Sequence, residues 1–290
     1  MRKFDSFLLL FLTAVTASAT ELRIAISDLI LGDVLKTIQN LAEDRAIEVS
    51  VVSVGSITAV DSLRSDEVQL AILASPENAD DAMQLDDTYE TITVAYSSAI
   101  IAVNQANPIN ELSFGELRGI FGSDPDLNVE TWGSLGVSSL ADRSIKPLIS
   151  QNEMGVSTEL FRHLVLAHAA MKLTVNELTD VEIEKMLVDN VTVVAVLSHL
   201  PKTGKVKALM VSKDSQSPAF GPKDDNIYFG DYPIRLPLQI AYKKDSEAKL
   251  IPLLRILLSD EVTEALRESY LYVLPDGIRA SFIERLDFVD

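Results

Sequence analysis

Apolar and polar positions alternate over residues 22–26, where Leu22, Ile24 and Ile26 are separated by Arg23 and Ala25, a pattern that predicts a strand. Ser27 and Asp28 then offer capping side chains, and Leu31, Val34, Leu35, Ile38, Leu41 and Ala42 recur at helical spacing. Residues 49–54 predict a second strand ending at Gly55-Ser56, followed by a short helix through Val60 and Leu63. Residues 68–73 predict a third strand. Strands alternating with helices pair in parallel, and right-handed crossovers gather their carboxyl ends. Open α/β sheets bind ligands just outside those ends, and Ser27, Ser56 and Ser75 all fall there.

Two extended segments stand apart from this rhythm. Residues 94–103 precede Asn107-Pro108, and residues 232–238 contain Pro233 and Pro237. Proline has no N–H to give a ladder, so both segments are expected outside the middle of a sheet. Between them, Ser113 and Glu116 have capping-box spacing ahead of Leu117, Ile120 and Phe121, and Gly122 is placed to end that helix. A strand is predicted at 145–149, then a loop at 151–157 opening a long helix through Leu160, Phe161, Leu164 and Val165. Thr179 and Glu182 form a second capping box, and the β-branched run 191–197 predicts a buried strand. A turn at 202–207, a strand at 208–211 and a surface loop at 212–225 follow. Beyond the second crossing a strand is predicted at 238–242, one helix over 252–266 and an extended piece at 272–275.

The formal charge of −18 excludes a nucleic-acid partner, whose phosphates must be met by Lys and Arg. It gives an anionic ligand no long-range attraction either, so such a ligand needs local donors. Arg2 and Lys3, the apolar run 7–15 and Ala17-Ser18-Ala19 form the pattern of a signal peptide over residues 1–19, too short to span a bilayer. The chain has no cysteine, hence neither a lipid-modified Cys nor a disulfide, and a periplasmic location is expected. The remaining stretch, roughly 270 residues, exceeds what one core usually serves, so two lobes are expected. No catalytic constellation stands out. His163 and His168, five apart on a predicted helix, should not share a face, and His199 is isolated. No metal, no cofactor and no enzymatic activity are expected.

The segments 107–121, Trp132 with Gly136, 232–238 and 254–275 together resemble the phosphate-binding proteins of ABC transporters. That resemblance implies an α/β fold of the two-lobed type II periplasmic binding protein kind, each lobe a mixed sheet flanked by helices, joined by two hinge strands. Lobe one would comprise residues 20–95 plus 236–290, and lobe two residues 96–235. It further implies a hinge that closes on phosphate or a related small oxyanion, an ABC permease partner in the inner membrane, and a monomer. Gly55-Ser56-Ile57-Thr58-Ala59 is similar to the family's Gly-Ser-x-x-Gly loop, so Ser56, Ile57 and Thr58 become candidate ligand residues. Ser27-Asp28 stands at the first family loop, although apolar Leu29 and Ile30 follow, and Ser75 stands in the loop after the third strand. The family's Arg-x-x-Gly-Ser-Gly-Thr loop falls on 151–157, with Gln151 in place of Arg, then Gly155, Val156 and Ser157. Loss of that Arg removes charge-assisted hydrogen bonds worth roughly 1.5–3 kcal/mol.

Other readings of the same residues stay open. Ser56, Ser157 and Asp28 are also ordinary helix caps, and Gln151 suits a neutral polar ligand or plain solvent. A binding-protein scaffold with a lost ligand site would act as an envelope interaction or sensing protein. An enzyme on this fold would need Asp28 or Glu153 as its base.

Overall fold

The periodicities fold into two mixed sheets with helices packed on them, in a computed structural model that describes residues 21–27, 30, 32–76, 81–151 and 156–288. The expected leader over 1–19, Asp28, Glu153 and Gly155 lie outside the described residues. Strand β1 (Leu22–Ser27) ends in four buried residues, and helix α1 (Gly32–Asp44) buries Val34, Ile38 and Ala42. Next come β2 (Val49–Val54), α2 (Ser56–Arg64), β3 (Leu70–Ala74) and the long β4 (Tyr89–Ser98). β1 pairs in parallel with both β2 and β3, as the strand–helix alternation predicts.

After Ala99 the chain enters a second sheet. Its elements begin with β5 (Ile100–Asn104), the short β6 (Glu111–Ser113), α3 (Phe114–Phe121) and β7 (Lys146–Ser150). They continue with α4 (Ser157–Leu164), β8 (Asn176–Leu178), α5 (Asp180–Asp189), β9 (Val193–Leu197) and β10 (Val206–Ala208). The order is β10-β5-β9-β7-β8, with β11 (Met210–Ser212) pairing separately with β6. Both capping boxes form: Ser113 with Glu116 opens α3, and Thr179 with Glu182 opens α5. Trp132 is fully buried, and its Nε1 donates to the Thr192 carbonyl at 3.3 Å.

The chain returns through α6 (Asp224–Phe229) and β12 (Arg235–Lys243), then α7 (Glu247–Leu257), α8 (Asp260–Glu268), β13 (Tyr272–Val273) and α9 (Asp276–Arg285). The first sheet thereby reads β13-β4-β12-β3-β1-β2. The two crossings are tied to one another. Ser98 Oγ and the Ala99 amide donate to the Ile234 carbonyl at 2.7 and 3.3 Å, and the Tyr232 hydroxyl donates to the Ala99 carbonyl at 2.8 Å. Burial pushes the Tyr232 phenol far above its ordinary range, so that hydroxyl stays protonated. One connected apolar cluster runs from Ile24 and Ile26 through Tyr96, Ala99 and Tyr232 to Ile101 and Phe121. Among the described residues no helix is long and apolar enough to cross a membrane.

Three expectations need correction, and one helix was not expected at all. Pro237 sits inside β12, which is flanked on both sides by β3 and β4. It is tolerated because its pairing toward β3 starts only at Leu238 opposite Ala74; one residue earlier β3 has ended, and the Pro237 carbonyl merely accepts the Ser75 amide at 3.1 Å. The expected helix over 252–266 is two helices, because the Ser259 hydroxyl accepts the Val262 amide and starts α8 afresh. α4 is two turns rather than long, for reasons taken up below. α9 had no sequence signal, since none of its residues is fully buried and its apolar positions form no stripe.

Candidate functional site

Three carboxyl ends meet in the first sheet. Ser27 closes β1 fully buried, and its register partner Val54 closes β2 one residue before Gly55 and α2. Gly55 is the N-cap of α2 in an extended conformation, with no side chain capping the helix, so Ser56 is not the cap. Instead its hydroxyl bridges the strands: it donates to Ser27 Oγ at 3.3 Å and accepts the Ala74 amide, at the end of β3, at 3.0 Å. Nor does Ser27 cap α1, which begins only at Gly32. Ile57 is 54% exposed and Thr58 is exposed on the first turn of α2, where the leading amides have no intrahelical acceptor. Ser75 follows directly, half-buried, its amide held by Pro237.

In the second sheet, the side chains of Gln151 and Thr158 bond to strand carbonyls. Gln151 is exposed after β7; its amide donates to the Leu178 carbonyl at 3.0 Å and its side chain reaches the Glu177 carbonyl at 3.5 Å. Val156 is the N-cap of α4 and packs against the core, Ser157 begins the helix fully buried, and Thr158 Oγ1 donates to the Ser150 carbonyl at 2.5 Å. The structure therefore joins Ser27, Ser56 and the end of β3, and sets Gln151 on the edge of β8.

A cavity of about 180 Å³ opens between the sheets, lined from the first-sheet side by Pro76 and Arg235 and from α4 by Leu160 and His163. Lys213, one residue past β11, also lines it. Arg235 is held firmly: its Nη1 donates to the carbonyls of Ile227 and Tyr228, the latter at 2.7 Å, and its guanidinium lies 4.9 Å from the Tyr96 ring centre. Neither Arg235 nor Lys213 was singled out in the sequence. Arg235 stands in the 232–238 motif as a scaffold residue, and nothing in the pattern brings Lys213 beside it.

The histidine expectation is overturned. α4 stops at Leu164, and Ala167 and His168 take left-handed backbone angles (φ 49° and 64°), folding the chain back. His163 Nδ1 and His168 Nε2 then lie 2.9 Å apart. Five residues separate faces only while a helix continues. His199 is not isolated either. It stacks on Tyr270 at 3.9 Å between ring centres, with Ser198 Oγ 3.1 Å from its Nδ1 and Asp180 Oδ2 at 3.8 Å. Burial lowers its pKa, with Asp180 and Glu184 pulling the other way and Lys202 adding to the fall. Among the described residues no group of three or more His, Asp or Glu could hold a metal.

A larger cavity, about 630 Å³, lies elsewhere, between Ile120, Pro125, Val129 and Leu173 of the second-sheet region. Its lysine, Lys172, is spent on the carbonyls of Gly119 and Val129, and burial lowers its pKa. Size alone does not mark the site; convergent polar groups do.

Two mixed sheets flanked by helices define a two-lobed α/β class, and the sequence matches the PBP superfamily domain over residues 13–261. The chain belongs to the PBP superfamily. It is 27% identical over 169 residues to Protein SphX of Synechococcus elongatus, covering 56% of this chain and 48% of that protein, so it spans about half the length of this curated relative. A possible phosphate binding protein from Planctomyces limnophilus superposes with a TM-score of 0.71 at 15% identity, over 93% of this chain and 98% of that one. PstS from Borrelia burgdorferi gives 0.71 at 13% identity, over 88% and 99%. An ABC-type phosphate transport receptor from Vibrio cholerae gives 0.62 at 21%, over 88% and 100%. These likenesses establish the two-lobed periplasmic binding protein fold.

Proposed function

We propose that this chain is a periplasmic solute-binding protein that captures phosphate or a related small oxyanion between its two sheets and delivers it to an ABC permease. The observation that carries the reading is the Ser56 hydroxyl, which ties Ser27 to the Ala74 amide where three strand ends and the N-terminus of α2 converge. The leading amides of α2, which have no intrahelical acceptor, offer donors to an anion beside that bridge, as the acidic charge of the chain requires. The phosphate-binding descriptions of the superposed Vibrio and Planctomyces proteins support the ligand class. The moving bodies are residues 20–95 with 236–290 and residues 96–235, bending where Ser98 and Ala99 meet Tyr232 and Ile234. The site residues are Ser27, Asp28, Ser56, Ile57, Thr58 and Ser75 from one body and Gly155, Val156 and Ser157 from the other.

Isothermal titration with inorganic phosphate tests this. Saturable heat that Ser56→Ala weakens by about tenfold or more supports it; no heat and no thermal shift at millimolar phosphate rejects it. A second reading, a scaffold that signals through an envelope partner without a ligand, is favoured by Gln151, whose side chain is turned to the Glu177 carbonyl where the resemblance places an Arg. Saturable capture of a non-permease envelope protein by a chain that binds no oxyanion would decide for it.

A further inference from the structure

We propose that His199 and Tyr270 form a clasp between the two bodies, and that protonation of His199 releases it by drawing the imidazole from the Tyr270 ring toward Asp180. The inference rests on the reading that residues 96–235 move as one body and 20–95 with 236–290 as the other, since His199 stands in the first and Tyr270 in the second. Strand register brings the two together. Leu197, at the end of β9, faces Ile100, and Tyr272 in β13 faces Tyr96, so both chains converge beside residues 97–99 at the first crossing. There the rings stack at 3.9 Å between centres, 13° from parallel. Tyr270 takes a left-handed backbone (φ 60°) in the turn after α8, an uncommon conformation for so bulky a residue. Such a conformation persists only where the surroundings impose it.

The imidazole has a second place to go. The Ser198 hydroxyl donates to Asp180 Oδ2 at 3.2 Å, which leaves its oxygen to accept from His199 Nδ1 at 3.1 Å and leaves Nε2 to take a further proton. Asp180 is fixed in the first turn of α5 by the capping box, with Oδ2 3.8 Å from Nδ1. Its Oδ1 is buried and meets no donor among the described residues, so a charged imidazole turned to it would satisfy both. The other charges around the ring are Glu184 on α5 and Lys202 after β9. Asp224 on α6 and Arg267 on α8 line a cavity of about 250 Å³ beside the stack, where Arg267 is paired with Glu264 and burial keeps the Tyr272 phenol protonated. Burial of the stacked ring outweighs the attraction of Asp180 and Glu184, so His199 titrates below its ordinary value. The stacked arrangement therefore keeps its full stability above that ordinary value, about 6.5, and loses it as pH falls through the lowered one.

The test is pulsed electron spin resonance on the full chain, labelled at the exposed positions Val52→Cys and Leu173→Cys and kept free of phosphate, at about pH 8 and about pH 5. A proton magnetic resonance titration of His199, assigned by its loss in His199→Gln, runs beside it. The otherwise unaltered chain should give a narrow distance distribution at high pH and a broader one at low pH. Tyr270→Ala and His199→Gln should be broad at both, and the double variant no broader than either. Tyr270→Phe keeps the ring and should match wild type, so broadening in Tyr270→Ala with native circular dichroism reports the lost stack. Asp180→Asn should stay narrow at both, with His199 titrating lower than in wild type, whereas in Tyr270→Ala it should titrate higher. His163 and His168 remain in Asp180→Asn, so low-pH broadening that survives there overturns the release. A wild-type distribution that ignores the titration of His199, or a Tyr270→Ala chain as narrow as wild type at high pH, overturns the clasp. If phosphate shifts the wild-type distances while the variants change nothing, the clasp falls and the capture reading stands. If the distances follow pH as stated but ignore phosphate, the capture reading falls and the clasp stands.

Discussion

The carboxyl edges of the two sheets carry similar residues and use them differently. In the first sheet, Ser56 reaches across from α2 and its hydroxyl knits β1 to β3, so polar groups gather at one spot. In the second sheet, Thr158 of α4 donates to the Ser150 carbonyl of β7 and Gln151 reaches the Glu177 carbonyl of β8, so these two side chains are spent on strand carbonyls. A serine or threonine at a helix start is therefore no evidence of a ligand by itself; what differs is whether hydroxyls meet one another beside open helix amides or bond to strand carbonyls. The first sheet thus gathers its hydroxyls beside the open amides of α2, and the second spends these side chains on framework.

The comparison can be broken by substitution. Tyr232→Ala should act on both regions at once, because its ring lies in the shared apolar cluster and its hydroxyl holds the Ala99 carbonyl. A loss of about 3–5 kcal/mol in urea unfolding is expected; a loss below 1 kcal/mol would mean the crossings are not braced there. Ser56→Ala should cost about 1–2 kcal/mol of stability, since it leaves the Ala74 amide without its acceptor. Thr158→Val should cost about 1 kcal/mol and leave phosphate affinity within twofold, as expected of a scaffold bond. Gln151→Ala should be the mildest, within about 0.5 kcal/mol and without effect on affinity. If Gln151→Ala instead weakened binding as much as Ser56→Ala, the asymmetry between the sheets would be wrong.

Much of the architecture was legible in the pattern. Alternation at 22–26 and the β-branched runs at 49–54 and 191–197 marked strands, and the two capping boxes marked α3 and α5, because those signals are local. What escaped was set by the end of an element or by its neighbours. Pro237 is accommodated in a central strand only because β3 stops one residue short of it. The histidines meet only because α4 ends and two left-handed residues reverse the chain. At the candidate site, the serines of the first sheet were visible from their place at predicted strand ends. The bridging role of Ser56 was not, because capping and bridging use the same residue at neighbouring positions. Arg235 and Lys213 come together from positions far apart in sequence, through the β6–β11 register and the return of β12, which no local period encodes.

The central claim is that the two bodies close on an oxyanion. The cysteine-free chain allows labels to be placed uniquely, for instance at Val52→Cys on β2 and Leu173→Cys in the second-sheet region, both exposed. Their separation, measured by pulsed electron spin resonance, should shift to a new, narrower distribution as phosphate is added, and Ser56→Ala should move that transition to higher concentration. An identical distance distribution with and without saturating phosphate would contradict the account.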